Sequence, residues 1–239
     1  IGEAGYDTLA DAVADAKDGE TVTLVRDSDG DGIIIDKNLI IDLGGYTYSF
    51  TGTLVGSTGT KSLGIQVLKD NVVTIKSGAL VMTDEAVRGH DNLPGKNMVI
   101  QNYADITLEN VDVVGNANTT YVVSINSGDV AIVGDTSITA TEGNVAFDVC
   151  KYASYAVPAV TVDTTGKITG TVEVAGGALV VEAATIDGEL NYISGSAVKA
   201  ETVVLTAPEG YKWVDGVLTA CDYVAEVDGV KYEVFAEAV

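Results

Sequence analysis

An all-β chain of stacked parallel strands is what this sequence predicts, on three observations. Val, Ile and Thr dominate the apolar and semi-polar positions and only three prolines occur in 239 residues, which is strand composition. Apolar residues recur in pairs at i and i+2, followed by a polar or glycine break, a second pair, another break and a third strand. The composite unit returns at a regular spacing, opening at Ile33, Ile65, Met98, Val123, Phe147 and Val172. One such turn cannot bury its apolar side alone, whereas stacked turns share a continuous core and run backbone hydrogen bonds from one to the next. The expected architecture is therefore a right-handed parallel β-helix, three strands per coil, with roughly six or seven coils. A sandwich would instead show tight Asn-Gly or Asp-Gly hairpins throughout, and these occur only near the C-terminus.

Taken in order, Thr8 followed by Asp11 makes a capping box with Asp in place of Glu, and Leu9, Ala12, Val13 and Ala16 share one face until Gly19. This predicts an N-terminal amphipathic capping helix. The alternating "ETVTLV" follows as a strand. First pairs fall at Ile33/Ile35, Ile65/Val67, Met98/Ile100, Val123/Ile125, Phe147/Val149 and Val172/Val174. Second pairs, usually seven or eight residues later, fall at Ile41/Leu43, Val73/Ile75, Ile106/Leu108, Val130/Ile132, Val160/Val162 and Leu179/Val181. Tyr48, Leu80, Val113, Ile138, Ile168 and Ile186 mark the third strand. Ile41, Ile75, Leu108, Ile132, Val162 and Val181 are expected to form one inward stack. From about Pro208, "YKWVDGVLTA" and "YVAEVDGVKYEV" read as two hairpins turning at Asp-Gly. The division is thus 1–20 for the N-terminal strand and capping helix, 21–207 for the β-helix, and 208–239 for C-terminal hairpins and the start of a further repeat.

The formal charge is −22, with two arginines, Arg26 and Arg88, so a nucleic-acid backbone or an anionic membrane surface would be repelled. Insertion into a bilayer is not expected, since no apolar run approaches the roughly 20 residues required. Beginning at Ile1 without a basic-plus-apolar leader, the chain is expected to be processed or excised. Cys150 and Cys221 lack metal-ligand spacing and are expected as two unrelated thiols.

The chain ends on a variant of its own opening. "KYEVFAEAV" matches "GYDTLADAV" when Tyr232 is laid on Tyr6, a displacement of almost the whole chain. The order "YDTLADAVADAKDGETVTLVRD", "IIIDKNLIIDLGGYTYSF", and later "APEGYKWVDGVLT" with "YVAEVDGVKYEVFAEAV" resembles the β-helical repeats of large surface and adhesin-like proteins of gut Firmicutes. The resemblance implies an extracellular, often tandem, pectate-lyase-like solenoid at the bacterial cell surface that is usually no enzyme. On this reading the unit joins copies of itself head to tail, fused or non-covalently. Ile1, Tyr6, Leu9 and Val13 at one end and Tyr223, Val227, Tyr232 and Phe235 at the other are the expected joining residues. A surface glycan or protein is a further candidate partner.

Chemistry is sparse. "RDSDGDGIII" sets Asp27, Asp29 and Asp31 at alternate positions, as in a calcium loop, although the twelfth place is Asn38 rather than a bidentate Glu. Calcium is the only cofactor these residues suggest, and a plain strand-to-strand turn explains the same pattern. The polar excursion Thr83 to Lys96 carries Arg88, His90 and Asp91, but the carboxylate sets of β-helix hydrolases are absent. Tyr211 with Trp213, and Tyr46 with Tyr48, could stack on sugars or fill a core. Two function classes follow: a non-enzymatic structural or adhesive module, and, as the alternative, a carbohydrate-active β-helix enzyme of lyase or hydrolase type.

Overall fold

A computed structural model describes residues 5–56, 61–88, 97–223, 225–227 and 229–233. Among them the protein is all-β: one short helix, and strands that pair chiefly in parallel within one large sheet. The arrangement is consistent with a parallel β-helix.

The helix spans Leu9–Asp15. The Thr8 hydroxyl oxygen accepts the Asp11 N–H at 3.0 Å, so Thr8 is the N-cap, and the hydroxyl donates to the Asp11 carboxylate at 2.7 Å. Leu9, Ala12, Val13 and Ala16 are buried against the first strands, as their spacing predicts. The C-terminal carbonyls of the helix are satisfied from outside it. The Lys37 ammonium donates to the carbonyls of Val13, Ala14 and Ala16 at 3.4, 3.1 and 3.1 Å, placing a cation at the negative end of the dipole.

The strands fall into three parallel series. The first runs through Ile33–Ile35, Leu63–Val67, Asn97–Asn102, Thr119–Ile125 and Val145–Cys150, then the opening residues of Thr171–Asp187 and Leu190–Lys199. The second runs through Glu20–Thr23, Leu39–Asp42, Val72–Met82, Asp105–Val114, Asp129–Gly134 and Ala159–Thr169, then the middle of Thr171–Asp187 and the end of Leu190–Lys199. The third takes Ser28–Gly30, Thr47–Phe50, the ends of Val72–Met82 and Asp105–Val114, Ser137–Thr139, and the ends of Ala159–Thr169 and Thr171–Asp187. Alternation within each strand turns every second side chain into the core, so parallel pairing in register builds columns of like residues.

The expected stack is present in register: Ile41, Ile75, Leu108, Ile132, Val162 and Val181 are consecutive Cα partners, each at most 1% exposed. Tyr48, Leu80, Val113, Ile138, Ile168 and Ile186 likewise stand in one column. Two assignments shift by two residues. Leu39/Ile41, not Ile41/Leu43, pairs with Val73/Ile75. Ile100/Asn102, not Met98/Ile100, lies between Ile65/Val67 and Val123/Ile125. A polar Asn102 therefore stands in a column of Val and Ile, fully buried. Its amide donates to the carbonyls of Ala104 and Ser127 at 2.6 and 3.1 Å and its carbonyl accepts the Ala104 N–H at 3.2 Å, so every group is satisfied.

Between the second and third series the chain bends through left-handed residues at matched heights. Ser77, Asn110 and Gly134 have φ of 60°, 53° and 72°. The Asn110 side-chain carbonyl accepts the Asp135 N–H at 3.0 Å, locking one corner to the next.

The two ends differ. At the N-terminal end the helix covers the first strands. At the other, residues 190–197 pair with Thr171–Asp187 on one side only among the described residues, and Ile193 is 62% exposed. Beyond them the expected hairpins form, Tyr211–Val214 with Val217–Ala220 and Ala225–Val227 with Val230–Tyr232. Asp215 and Gly216, at φ of 48° and 78°, supply the two left-handed positions of the first turn.

Candidate functional site

The bend between the first and second series carries the most developed surface feature. Three turns of chain stack there, at 68–71, 103–104 and 126–128, joined by a longer loop at 151–158. Asn102 pins the middle turn as described. Asn71 donates to the carbonyls of Leu68 and Lys69 at 2.8 and 3.1 Å, and its main-chain carbonyl oxygen accepts the Asp105 N–H at 3.1 Å. Gly128 has φ +88°, and a Cβ there would meet the Ala104 carbonyl oxygen at 2.0 Å, so only glycine lets the turns approach.

The longer loop brings two tyrosines onto a third. It turns through Ala153 at φ 47° with the Tyr155 N–H donating to the Tyr152 carbonyl at 3.1 Å, and Lys151 donates to the Ala153 carbonyl at 3.1 Å. Ring centroids of Tyr103 and Tyr155 lie 4.9 Å apart, Tyr103 and Tyr152 6.1 Å, and Tyr152 and Tyr155 6.2 Å. Tyr152 is half exposed. Burial raises the Tyr103 phenol to about 12, with smaller contributions from Tyr152, Tyr155 and Asp148, so it is a neutral hydroxyl at physiological pH.

Beside this cluster lies a groove of about 680 Å³, lined by Lys69, Asp70, Asn71, Tyr103, Asp105 and Tyr155 among others. A second hollow of about 450 Å³ shares Val72 and Asp105 with it and continues past Thr107 and Asp129 to Thr161. Together they form one furrow across successive strands. Its charged groups are chiefly carboxylates: Asp70, ion-paired with Lys69 at 3.3 Å, then Asp105 and Asp129, the Asp105 carboxylate accepting the Asp129 N–H at 2.8 Å.

On the outer side of the first series a polar ladder runs Gln66, Gln101, Ser124, Asp148, Glu173, Asn191. Gln66 donates to Gln101 at 2.9 Å and Asn191 to Glu173 at 2.6 Å. Asp148, only 5% exposed, accepts the Ile125 N–H at 2.8 Å. Burial drives its carboxyl up to about 7; the Ile125 N–H and Ser124 hydroxyl pull it down and Glu173 pushes it further up. Cys150 and Tyr121 are also raised, chiefly by burial.

The residues singled out by sequence fall as follows. Asp27, Asp29 and Asp31 string along the segment around Ser28–Gly30, and each is taken by the next strand: Asp27 accepts the Thr47 N–H at 2.9 Å, Asp29 the Thr51 hydroxyl at 2.9 Å and Asp31 the Thr53 N–H at 2.6 Å. Among the described residues no three His, Cys, Asp or Glu side chains gather where a metal ion could be held. Leu9 and Val13, expected at a joint, are buried within the chain's own core, since they are the apolar face of the capping helix. Tyr6 is partly buried and donates to Asp15. Tyr223 and Val227 are exposed at 40% and 43%. Ile1, His90, Asp91, Phe235 and the Tyr232 side chain lie outside the described residues. Cys150 and Cys221 are free thiols. Tyr48 is fully buried with its hydroxyl donating to the Asp31 carbonyl at 2.8 Å, so Tyr46 and Tyr48 make no shared platform. Trp213 packs against the core, its indole N–H donating to the Leu205 carbonyl at 2.8 Å.

The tyrosine cluster escaped sequence reading, yet a signal exists. From Phe147 to Val160, first pair to second, the chain takes thirteen residues where the other first and second pairs lie seven or eight apart, and the insertion contains both Tyr152 and Tyr155.

Fold and site thus define a parallel-strand all-β protein with an aromatic, acid-lined furrow on its outer side. Comparison of the chain with protein-family models, with curated proteins and with solved structures produced no match.

Proposed function

We propose that the chain closes as a right-handed parallel β-helix, three strands per coil, and serves as a non-enzymatic structural and adhesive module of a bacterial surface protein, repeated head to tail. The observation that supports this best is the inequality of its ends. Columns of aligned aliphatic residues run from Val22 to Val181, with a helix over one end, while residues 190–197 offer an unpaired strand edge at the other among the described residues. An open edge of this kind is a template for another strand. A second copy, fused or separate, is the occupant that the likeness of the two chain ends suggests.

Sedimentation velocity tests the joining. The intact chain should show association that rises with concentration, and Ile193→Lys with Ser194→Pro, placed on the exposed edge, should abolish it while leaving the far-ultraviolet spectrum unchanged. A monomer at every concentration, in a native polypeptide whose mass corresponds to one unit, refutes the reading.

One observation favours an enzyme: Asp148 and Glu173 are carboxylates side by side on neighbouring strands, Asp148 with a raised pKa, as acid–base pairs require. Against it, Asp148 is buried and its oxygen already accepts a backbone hydrogen bond, so it cannot reach a glycosidic oxygen. Absence of depolymerisation across neutral and acidic glycans excludes this reading.

A further inference from the structure

We infer that the furrow lined by Tyr103 and Tyr155, against which Tyr152 packs, binds a neutral oligosaccharide. The inference needs neither end-to-end joining nor a cell-surface setting, so its test is separate from theirs.

Four features combine. First, the rings are held, not dangling. Tyr103 is anchored by its neighbour Asn102, and Tyr155 by the turn bond to Tyr152, so the ordering needed to present them is already present in the free protein. Rigid aromatic faces suit the C–H faces of pyranose rings, which are apolar and flat, while the equatorial hydroxyls around them need partners. Second, those partners stand alongside. Asp70, Asp105 and Asp129 offer carboxylate oxygens to sugar hydroxyls, and the Lys69 ammonium offers a donor. Third, the furrow is long. The two hollows share Val72 and Asp105 and cross several strands set about 4.8 Å apart, which leaves room for an extended chain of sugars. Fourth, the charge selects. A chain at −22 whose furrow carries three carboxylates and one paired lysine repels uronate or sulfated glycans. Neutral hexose polymers meet no such repulsion.

No chemistry on the sugar follows from this arrangement. The nearest acid with a raised pKa, Asp148, is buried outside the furrow's lining.

The experiment is calorimetric titration with four neutral hexasaccharides, β-1,4-linked glucose, xylose, mannose and N-acetylglucosamine, each to about 10 mM, beside hexagalacturonate as the acidic counterpart. At least one neutral hexamer should bind with Kd at or below about 1 mM. Tyr155→Ala should weaken it about tenfold, equivalent to about 1.4 kcal/mol, with Tyr152→Ala acting in the same direction and Tyr155→Phe binding like the parent. Tyr46→Ala, an exposed ring away from the furrow, should leave binding unchanged. Tyr152 is half exposed, so its truncation keeps the fold, and identical melting curves verify this. The inference is overturned if no neutral hexamer binds, if both alanine variants bind as the parent does, or if hexagalacturonate binds more tightly.

Discussion

Leu108→Ala is the sharpest probe of the stacked core. Leu108 is fully buried, with Ile75 below and Ile132 above as its direct register partners. The substitution removes three carbons, a transfer loss of about 2.4 kcal/mol at about 0.8 kcal/mol for each. The void adds more, because the neighbours are held by parallel ladders and cannot close on it. At about 24 cal/mol per Å³, a residual cavity of about 80 Å³ contributes about 1.9 kcal/mol. The total, about 4 kcal/mol, sits in the upper half of the usual range for Leu→Ala. Urea unfolding followed by far-ultraviolet circular dichroism measures it as a fall in midpoint at constant slope. Ile193→Ala, on the 62% exposed edge residue, serves as control and should change stability by less than about 0.5 kcal/mol. A loss below about 1 kcal/mol at Leu108 would mean that the column does not exist and that the register is wrong.

Three further outcomes are expected. Asn102→Ala should cost about 2–4 kcal/mol in the same unfolding assay, since the Ala104 N–H and two carbonyls lose their partner inside the core. Asp148 makes stability depend on pH. Its unfolded carboxyl ionises near 4 and the folded one at about 7, so between these values the folded chain holds a proton that the unfolded chain has released. Stability then falls as pH rises through that window, by up to about 1.4 kcal/mol per unit, and levels off above 7; Asp148→Asn should flatten the slope in melts from pH 4 to 8. Asp31→Ala should lower stability by about 1 kcal/mol through the lost Thr53 N–H bond, equally with and without calcium. A calcium-induced rise in melting temperature that disappears in Asp29→Ala, Asp31→Ala would place a metal there instead.

Much of the fold was legible because a parallel stack writes its period directly into the chain. The third-strand markers Tyr48 to Ile186 and the Ile41 to Val181 column were readable residue by residue. The two misplacements are instructive: a slip of two keeps every side chain on its own side, so the alternation of Leu39, Ile41 and Leu43, or of Met98, Ile100 and Asn102, cannot distinguish one register from the next. What decides between them is a polar side chain. Asn102 reads as the end of a strand, and only the fold shows its amide closing three backbone bonds. The furrow was illegible for a different reason. Tyr103 follows the strand Asn97–Asn102 and Tyr152 the strand Val145–Cys150, and their meeting depends on how those strands stack, which spacing along the chain does not reveal.

Core columns whose partners lie close in sequence also determine how the molecule is made. Val22 meets Ile41, Leu108 meets Ile132 and Val162 meets Val181, each the corresponding residue of the next strand in its series, and even the widest step in the core, Ile65 to Ile100, joins neighbouring strands of one series. No strand in them waits for a distant segment, so the loop entropy lost at each step is small and nearly constant. The chain can therefore fold vectorially as it leaves the ribosome, each new turn settling on the one before it. The helix precedes these strands in the chain and covers the first of them, so each later strand settles on the opposite side of the stack.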